Sequence, residues 1–117
     1  MTTNTYQALC DSVGAYYMTE GREYDSEGNI CSWYKNYPPQ SAEQREKLLI
    51  LIEKQVGLTA IYLKETNDYI MRDETFSFEY VSITGERDEC LYGITQKLVD
   101  EGVLSKGEVK EALCGNK

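Results

Sequence analysis

The strongest constraint on the fold is a helix signal near the middle of the chain. Ser41 is followed three residues later by Gln44, which is the spacing of a capping box, and residues 48–52 are all apolar. We predict a helix from Ser41 to Val56, ended by Gly57. Because five consecutive apolar residues cover every side of a helix, we expect this helix to be buried nearly all round or packed between two elements.

Three further helices are predicted from apolar residues at helical spacing. The first covers residues 5–18, and the second covers residues 88–100. The last begins at Ser105, where Glu108 three residues later makes a second capping box, and it continues to about residue 113.

Strands are predicted where aromatic and β-branched residues alternate with polar ones. Residues 58–63, 69–71 and 76–83 are the candidates in the second half of the chain. The last of these has apolar residues on both faces, which is typical of a central strand. Residues 22–24 and 30–34 flank a glycine-containing turn, which predicts a β-hairpin.

Together these elements predict an α+β fold, in which a small antiparallel sheet of three to five short strands carries about four helices. A chain of 117 residues is one domain by length, so we treat residues 1–117 as a single globular domain. The apolar run at 48–52 is too short to span a membrane, and the polar start of the chain lacks a signal-peptide core. We therefore expect a soluble cytoplasmic protein without a membrane partner.

The four cysteines are scattered, which argues against a shared site. No two have a C-x-x-C spacing, and the chain has no histidine to complete a mixed zinc site. A cytoplasmic location favours free thiols, and we expect Cys10 and Cys90 to lie on apolar helix faces. Without an imidazole to activate a thiol, a nucleophilic cysteine is not expected.

The excess negative charge is concentrated in two short segments. The first acidic segment, residues 20–29, has four acidic residues and one basic residue, and the second, residues 65–89, has eight acidic and two basic residues. The whole chain carries −8, so the remainder is close to neutral. An anionic face attracts partners that neutralise phosphates with Lys and Arg, and it repels nucleic acid itself. The plainer interpretation is that these acids keep the domain soluble.

Tyrosine is the dominant aromatic residue: the chain has ten Tyr but only two Phe and one Trp. Tyr suits half-buried positions and protein interfaces, because its ring is apolar while its hydroxyl forms hydrogen bonds. Several aromatic residues, among them Tyr24 and Trp33, lie in or beside the first acidic segment. They either anchor a contact with a partner or cover a solvated edge of the sheet.

No catalytic motif is present in the sequence. It has no glycine-rich phosphate loop, and pairs of carboxylates occur in any acid-rich chain, so they do not identify a glycosidase. Residues 25–29 offer oxygen ligands around a glycine, but they lack the spacing and the terminal glutamate of an EF-hand loop. We therefore predict a protein that binds without catalysis and uses no metal or cofactor.

In size, charge and aromatic content, the whole chain resembles the small acidic DNA-mimic proteins of bacteria and their phages. The resemblance implies a protein that occupies the basic nucleic-acid-binding surface of a partner, such as a histone-like nucleoid protein or a restriction, repair or CRISPR component. It implies no direct binding of nucleic acid. No motif carries the resemblance, so no residue role comes with it.

On this hypothesis the partner-binding residues are the carboxylates of both segments and two aromatic anchors. They are Glu20, Glu23, Asp25, Glu27, Glu65, Asp68, Asp73, Glu74, Glu86, Asp88, Glu89, Tyr24 and Trp33. Two alternatives stay open: an immunity protein or antitoxin that blocks a cationic toxin or nuclease, and a Tyr-rich structural module that associates with itself. We expect a monomer or a dimer.

Overall fold

The computed structural model describes residues 5–82 and 85–114 and has an α+β fold. These residues form four helices and five strands, in which a two-stranded and a three-stranded antiparallel sheet lie beside the helices. The α+β prediction is thus confirmed, with the strands divided between two sheets. In chain order the elements are α1 (Thr5–Val13), β1 (Tyr17–Glu20), β2 (Trp33–Asn36), α2 (Ala42–Gln55), β3 (Leu58–Leu63), β4 (Asp68–Asp73), β5 (Glu79–Ser82), α3 (Arg87–Asp100) and α4 (Lys106–Cys114).

Both predicted capping boxes start helices at the expected residues. The Ser41 hydroxyl accepts a hydrogen bond of 3.1 Å from the backbone N–H of Gln44 at the start of α2. The Ser105 hydroxyl accepts one of the same length from the N–H of Glu108 at the start of α4. Each bond satisfies a backbone donor that the helix itself leaves unpaired.

Helix α1 is shorter than predicted, because it ends at Val13 and not at residue 18. Gly14 has a φ of +77°, and the N–H of Ala15 donates to the carbonyl of Cys10 at 2.8 Å, which is the closing bond of a Schellman motif. Glycine adopts this backbone conformation without strain, so the helix ends here. Tyr17, which the helical spacing placed on α1, is instead the first residue of β1.

The predicted hairpin is present, but its strands lie farther from the turn than expected. β1 pairs with β2 from Tyr17 opposite Asn36 to Glu20 opposite Trp33. Nearer the turn the pairing continues less regularly, through a bridge between Tyr24 and Ile30 and a hydrogen bond of 3.0 Å from the Cys31 N–H to the Glu23 carbonyl. We call residues 17–36 the ribbon.

The three-stranded sheet has the order β3-β4-β5, so β4 is its central strand. The prediction that residues 76–83 form a central strand is wrong: β5 covers Glu79–Ser82 at an edge, and residue 83 lies outside the described residues. Apolar residues do occur on both faces of the sheet, but helix α3 packs on only one of them. The other face carries a row across the strands, formed by Ile61, Ile70 and Val81, with both ends of the row exposed.

The hydrophobic core lies where the four helices meet each other and the covered face of the sheet. Helix α2 contributes Leu48 and Ile52, which are fully buried, but its Ile50 side chain is 56% exposed. Of the two expectations for α2, burial nearly all round is therefore wrong, while packing against two elements is what the structure shows, since α2 contacts both α3 and α4. This helix packs against α3 and α4 on one side only, so one residue of its apolar run faces solvent.

A glycine on α3 sets how closely the helix approaches the sheet. A Cβ atom built on Gly93 would overlap the ring of Tyr80 on β5. Such close packing leaves no room for an added methyl group.

We therefore predict that Gly93→Ala lowers the free energy of unfolding by about 1–3 kcal/mol, because overpacking outweighs the gain in helix propensity. The control is Gly107→Ala on α4, where the nearest atom to the new Cβ is the Ser105 hydroxyl at 3.8 Å. This variant should be neutral or more stable by up to about 1 kcal/mol. Urea unfolding followed by circular dichroism measures both, and equal stability of the two variants would contradict the assigned packing.

Candidate partner-binding surface

The ribbon exposes aromatic side chains on both of its faces. Tyr17 and Tyr34 lie on one face and Trp33 on the other, and each of the three is between 55% and 60% exposed. Tyr24, nearer the turn, is 62% exposed. Among the described residues, neither β1 nor β2 packs extensively against any element other than its partner strand. A two-stranded ribbon without a covering layer is at best marginally stable alone, so these uncovered rings point to an interaction surface.

The base of the ribbon is fixed to helix α1. The Lys35 ammonium lies 3.0 Å from a carboxylate oxygen of Asp11, and the Tyr37 hydroxyl donates to the same oxygen at 3.0 Å. The hydrogen bond to Asp11 raises the pKa of Lys35, which also lies 4.3 Å from the centre of the Tyr16 ring. These contacts orient the ribbon relative to the helices while leaving its outer part free of other elements.

The turn of the ribbon is closed by Asp25. Its carboxylate accepts hydrogen bonds of 2.9 Å from the backbone N–H groups of Asn29 and Glu27, and Gly28 supplies a φ of +84°. The bond from Asn29 is the largest cause of the lowered pKa of Asp25, so this carboxylate stays charged at neutral pH. Asp25 therefore shapes the turn as well as contributing to its charge.

The first acidic segment lies wholly on this ribbon, and its carboxylates are exposed. Within the described part of the chain, none of the four forms a salt bridge. They are Glu20, Glu23, Asp25 and Glu27. Tyr24 and Trp33 lie beside these acidic residues, as the sequence predicts. Their contact with a partner stays a prediction. The unneutralised carboxylates give this surface a negative electrostatic potential, and the exposed rings beside them give it apolar contact area.

The second acidic segment is divided between the two ends of the three-stranded sheet. The six residues of β4 span about 17 Å at a rise of ~3.4 Å per residue, so Asp68 and Asp73 lie at opposite ends. Ser82 pairs with Tyr69, and a Cβ on Gly85 would lie 2.6 Å from the carbonyl of Asn67. The start of α3 therefore meets the β3–β4 turn. Five of the predicted carboxylates lie at this end: Glu65, Asp68, Glu86, Asp88 and Glu89.

Two of these five are engaged within the protein. Asp88 lies 3.4 Å from Arg45 on α2, and Glu89 accepts a hydrogen bond of 2.7 Å from the Ser82 hydroxyl. Neutralisation by Arg45 weakens the field that Asp88 presents to solvent. Glu65 and Glu86 are exposed, and Asp68 is partly exposed.

Asp73 and Glu74, at the other end of the sheet, both accept hydrogen bonds within the protein, although Glu74 is exposed. Asp73 is fully buried, and its carboxylate accepts backbone hydrogen bonds from Phe76, from Ser77 at 3.1 Å and from Phe78 at 2.6 Å. Glu74 accepts a hydrogen bond of 3.1 Å from the Thr59 hydroxyl across the sheet. A buried carboxylate cannot touch a partner, so Asp73 is removed from the predicted contact residues. It closes the β4–β5 turn instead.

We predict that Asp73→Asn lowers the free energy of unfolding by about 1–3 kcal/mol, because the amide nitrogen cannot accept the backbone N–H groups that the carboxylate does. The matched control, Asp68→Asn on the same strand, should change it by less than about 0.5 kcal/mol. Chemical denaturation measures both values. An Asp73→Asn variant with the same free energy of unfolding as the native chain would contradict the role of Asp73 in closing the turn.

The two buried cysteines are not activated for nucleophilic attack. Cys10 and Cys90 are buried on α1 and α3, as predicted, and all four cysteines are free. Burial raises the pKa of both Cys10 and Cys90 to about 11, so these thiols are protonated at neutral pH. Among the described residues no group of three or more Cys, Asp or Glu side chains could hold a metal ion.

We predict that a thiol reagent at about pH 8 modifies Cys31 and Cys114, which are exposed, and spares Cys10 and Cys90 until the protein unfolds. Mass spectrometry after labelling with and without guanidinium identifies the sites. Because the two buried thiols have raised pKa values in the folded state, their contribution to stability is complete below about pH 9 and declines as the pH rises towards 11. Rapid labelling of Cys10 or Cys90 in the folded protein would show that these thiols are not buried.

Comparison with protein-family models, with curated proteins and with solved structures finds no match to this chain. In the part of the chain that the structure describes, no helix is long and apolar enough to cross a bilayer. The case for a function therefore depends on the residues themselves.

Proposed function

We propose that this protein is a non-catalytic binding module that mimics DNA and docks its ribbon on the basic nucleic-acid-binding surface of a partner protein. One observation carries the proposal. The ribbon presents four carboxylates that form no salt bridge in the described part of the chain, together with exposed aromatic rings, and no other described element covers it. The chemistry of this surface is anionic and aromatic at once.

The carboxylates supply the field that a phosphate-binding partner recognises. Alternate residues of an extended strand lie about 6.8 Å apart, a spacing of the same order as that between phosphates along a nucleic-acid backbone. Glu23 and Asp25 flank Tyr24, which bridges Ile30, and Glu27 follows in the turn itself. A groove lined with Lys and Arg therefore meets a cluster of negative charges at the end of the ribbon, and the association weakens as salt screens them.

The aromatic residues supply the contact area that charge alone does not. Tyr and Trp are enriched at the centres of protein interfaces, where their rings are desolvated while their polar atoms keep hydrogen bonds. Trp33 and Tyr24 are the anchors that we assign, and Tyr17 and Tyr34 extend the contact on the opposite face. The exposed acids at the β3–β4 end of the sheet, Glu65 among them, add to the long-range field.

A second candidate function is favoured by the same ribbon's two-sided character. Exposed rings on both faces suit insertion between the walls of a cleft better than docking on a single surface. An immunity protein or antitoxin that plugs a cationic nuclease active site would use the ribbon in this way. The two functions differ in target: a groove that holds duplex DNA, or a cleft that cuts nucleic acid.

We predict that Glu20→Lys/Glu23→Lys/Glu27→Lys weakens binding to a basic DNA-binding protein at least about tenfold, because the charges at the docking surface become repulsive. Asp25 is left unchanged because it closes the turn. The control reverses three exposed acids outside both segments and alters the net charge equally. It is Glu46→Lys/Glu53→Lys/Glu101→Lys, and it should bind within about threefold of the native chain.

The assay displaces a labelled DNA duplex from a histone-like nucleoid protein, between about 50 and about 200 mM salt. Trp33 is the only tryptophan and is exposed, so its fluorescence should shift to shorter wavelength as the complex forms. Equal weakening by both triple variants, or displacement insensitive to salt, would count against the mimic. Inhibition of a cationic nuclease without displacement of DNA would favour the plug.

A further inference from the structure

One edge of the three-stranded sheet has backbone groups that bond to no other residue in the described part of the chain. The N–H of Glu74 donates to the carbonyl of Gly57 at 3.3 Å, so these two residues form a hydrogen-bonded pair at the start of the β3–β4 ladder. Hydrogen-bonded and non-hydrogen-bonded pairs alternate along an antiparallel ladder. Leu58, Ala60 and Tyr62 are therefore in non-hydrogen-bonded pairs, and their N–H and C=O groups point away from β4. The free edge of β3 thus presents alternating donors and acceptors to solvent.

The opposite edge of the sheet, strand β5, is shorter and partly covered. The N–H of Asp73 donates to the carbonyl of Phe78, and the same alternation then points the backbone groups of Glu79 and Val81 outward. The Lys97 ammonium of α3 donates to the Glu79 carbonyl on this edge. Among the described elements, only β4 packs extensively against β3. The edge that is open to a further strand is therefore that of β3.

The side chains along β3 are uncharged and exposed. Ile61, Tyr62 and Leu63 are between 42% and 51% exposed, and no residue of Leu58–Leu63 carries a charge. Natural proteins protect a long edge strand with Lys, Pro, a bulge or a covering element, and neither a Lys, a Pro nor a bulge interrupts β3. This edge therefore offers both backbone hydrogen bonds and apolar contact area to an extended segment.

Acidic residues lie at both ends of this edge. At the start of β3 the Glu74 carboxylate reaches the edge, since a Cβ atom built on Gly57 would lie 2.9 Å from its oxygen. At the end of β3, the β3–β4 turn and the start of α3 have more acidic than basic residues: Glu65, Asp68, Glu86 and Glu89 against Lys64 and Arg87. The two ends are about 20 Å apart at ~3.4 Å per residue. They favour an extended segment with basic residues at both of its ends.

The same charges argue against a second copy of this chain as the occupant. Antiparallel pairing of two β3 edges places the start of one strand beside the end of the other. Glu74 of each copy would then face the acidic turn of the other copy. The net charge of −8 on each chain adds to this repulsion. A foreign strand with basic ends meets no such penalty.

We propose that β3 is a docking edge for an extended segment of a partner protein, with about six uncharged residues between basic residues at both ends. The segment would add a fourth strand to the sheet. Its backbone bonds to Leu58, Ala60 and Tyr62 would supply affinity, and the acidic residues at the two ends of β3 would select its charge. A single added strand buries little area, so we expect weak, transient binding with a dissociation constant on the order of 10–100 µM or weaker. The proposal does not depend on the proposed function, because β3 shares no residue with the ribbon.

The first test measures hydrogen exchange of single backbone amides by NMR, with the peptide KKVTVTVTKK as the probe. In the chain alone, the amides of Leu58, Ala60 and Tyr62 should exchange fast, whereas those of Thr59 and Ile61, which face β4, should be protected. The peptide should slow exchange of the three outward amides at least about threefold near saturation. The control peptide EEVTVTVTEE, with the same central residues and acidic ends, should have no effect up to about 1 mM.

The second test uses variants that separate the backbone bonds from the charges. Ala60→Pro removes an outward N–H without removing a bond to β4, so it should weaken binding of the basic peptide at least about tenfold, whereas Ala60→Val should bind as the native chain does. Glu65→Lys/Glu74→Lys should also weaken it about tenfold, because both ends of the edge then repel the peptide. The control Glu46→Lys/Glu101→Lys alters the net charge equally and should bind within about twofold of the native chain. Circular dichroism checks the fold of each variant.

Three results would overturn the proposal. The first is no binding of KKVTVTVTKK up to about 1 mM, or equal binding of the acidic peptide. The second is undiminished binding of the basic peptide after methylation of its central backbone nitrogens, which tests the backbone bonds even if Ala60→Pro does not fold. The third is protection of the outward amides in the chain alone that grows with protein concentration, because a second copy would then cover the edge.

Discussion

One buried side-chain amide joins all four helices, and the rest of the structure depends on it. The amide nitrogen of Gln44 on α2 donates to the Tyr6 hydroxyl of α1 at 2.8 Å and to the Leu113 carbonyl of α4 at 2.9 Å, while its oxygen accepts from Tyr92 of α3 at 3.4 Å. Leaving a buried polar group unpaired costs about 1–3 kcal/mol, so other packings of these helices are penalised. Tyr6 also donates to the Pro38 carbonyl, which fixes the chain just beyond the ribbon.

The placement of the ribbon follows from this closed helical core. The four helices bury one another's apolar side chains, and α3 also covers the inner face of the three-stranded sheet. No described element therefore remains to cover β1 and β2. The Asp11 carboxylate holds the base of the ribbon through Lys35 and Tyr37, and beyond that point the aromatic rings face solvent. The same closure leaves Ile50 outside the core, beside a shallow depression between helices α2 and α4. The helical core therefore leaves more than one surface uncovered, and the ribbon is the anionic one.

Local signals in the sequence were sufficient for most element positions. Capping hydroxyls mark the starts of α2 and α4, because each hydroxyl accepts a hydrogen bond from a backbone N–H of its own helix and needs no residue distant in sequence. The end of α1 was mispredicted since helical spacing continued through Tyr17, although Gly14 carried the stop signal. For the candidate site, Tyr24 and Trp33 could be named from their position beside acidic residues. Tyr17 could not, because its helical spacing assigned it to α1, and the burial of Asp73 depends on a turn that folds back over it.

The sequence by itself determined the four helices, the three strands of the larger sheet, the α+β class of the fold, and the gathering of negative charge in two segments. These properties depend on neighbouring residues, on periodicity and on composition, which can be read along the chain. Only the tertiary structure decided which strand is central, which face of each helix is covered, and that the second acidic segment is split between two ends of a sheet. Those outcomes depend on contacts between residues far apart in sequence, and the same apolar or acidic residue is buried at one position and exposed at another according to what packs against it.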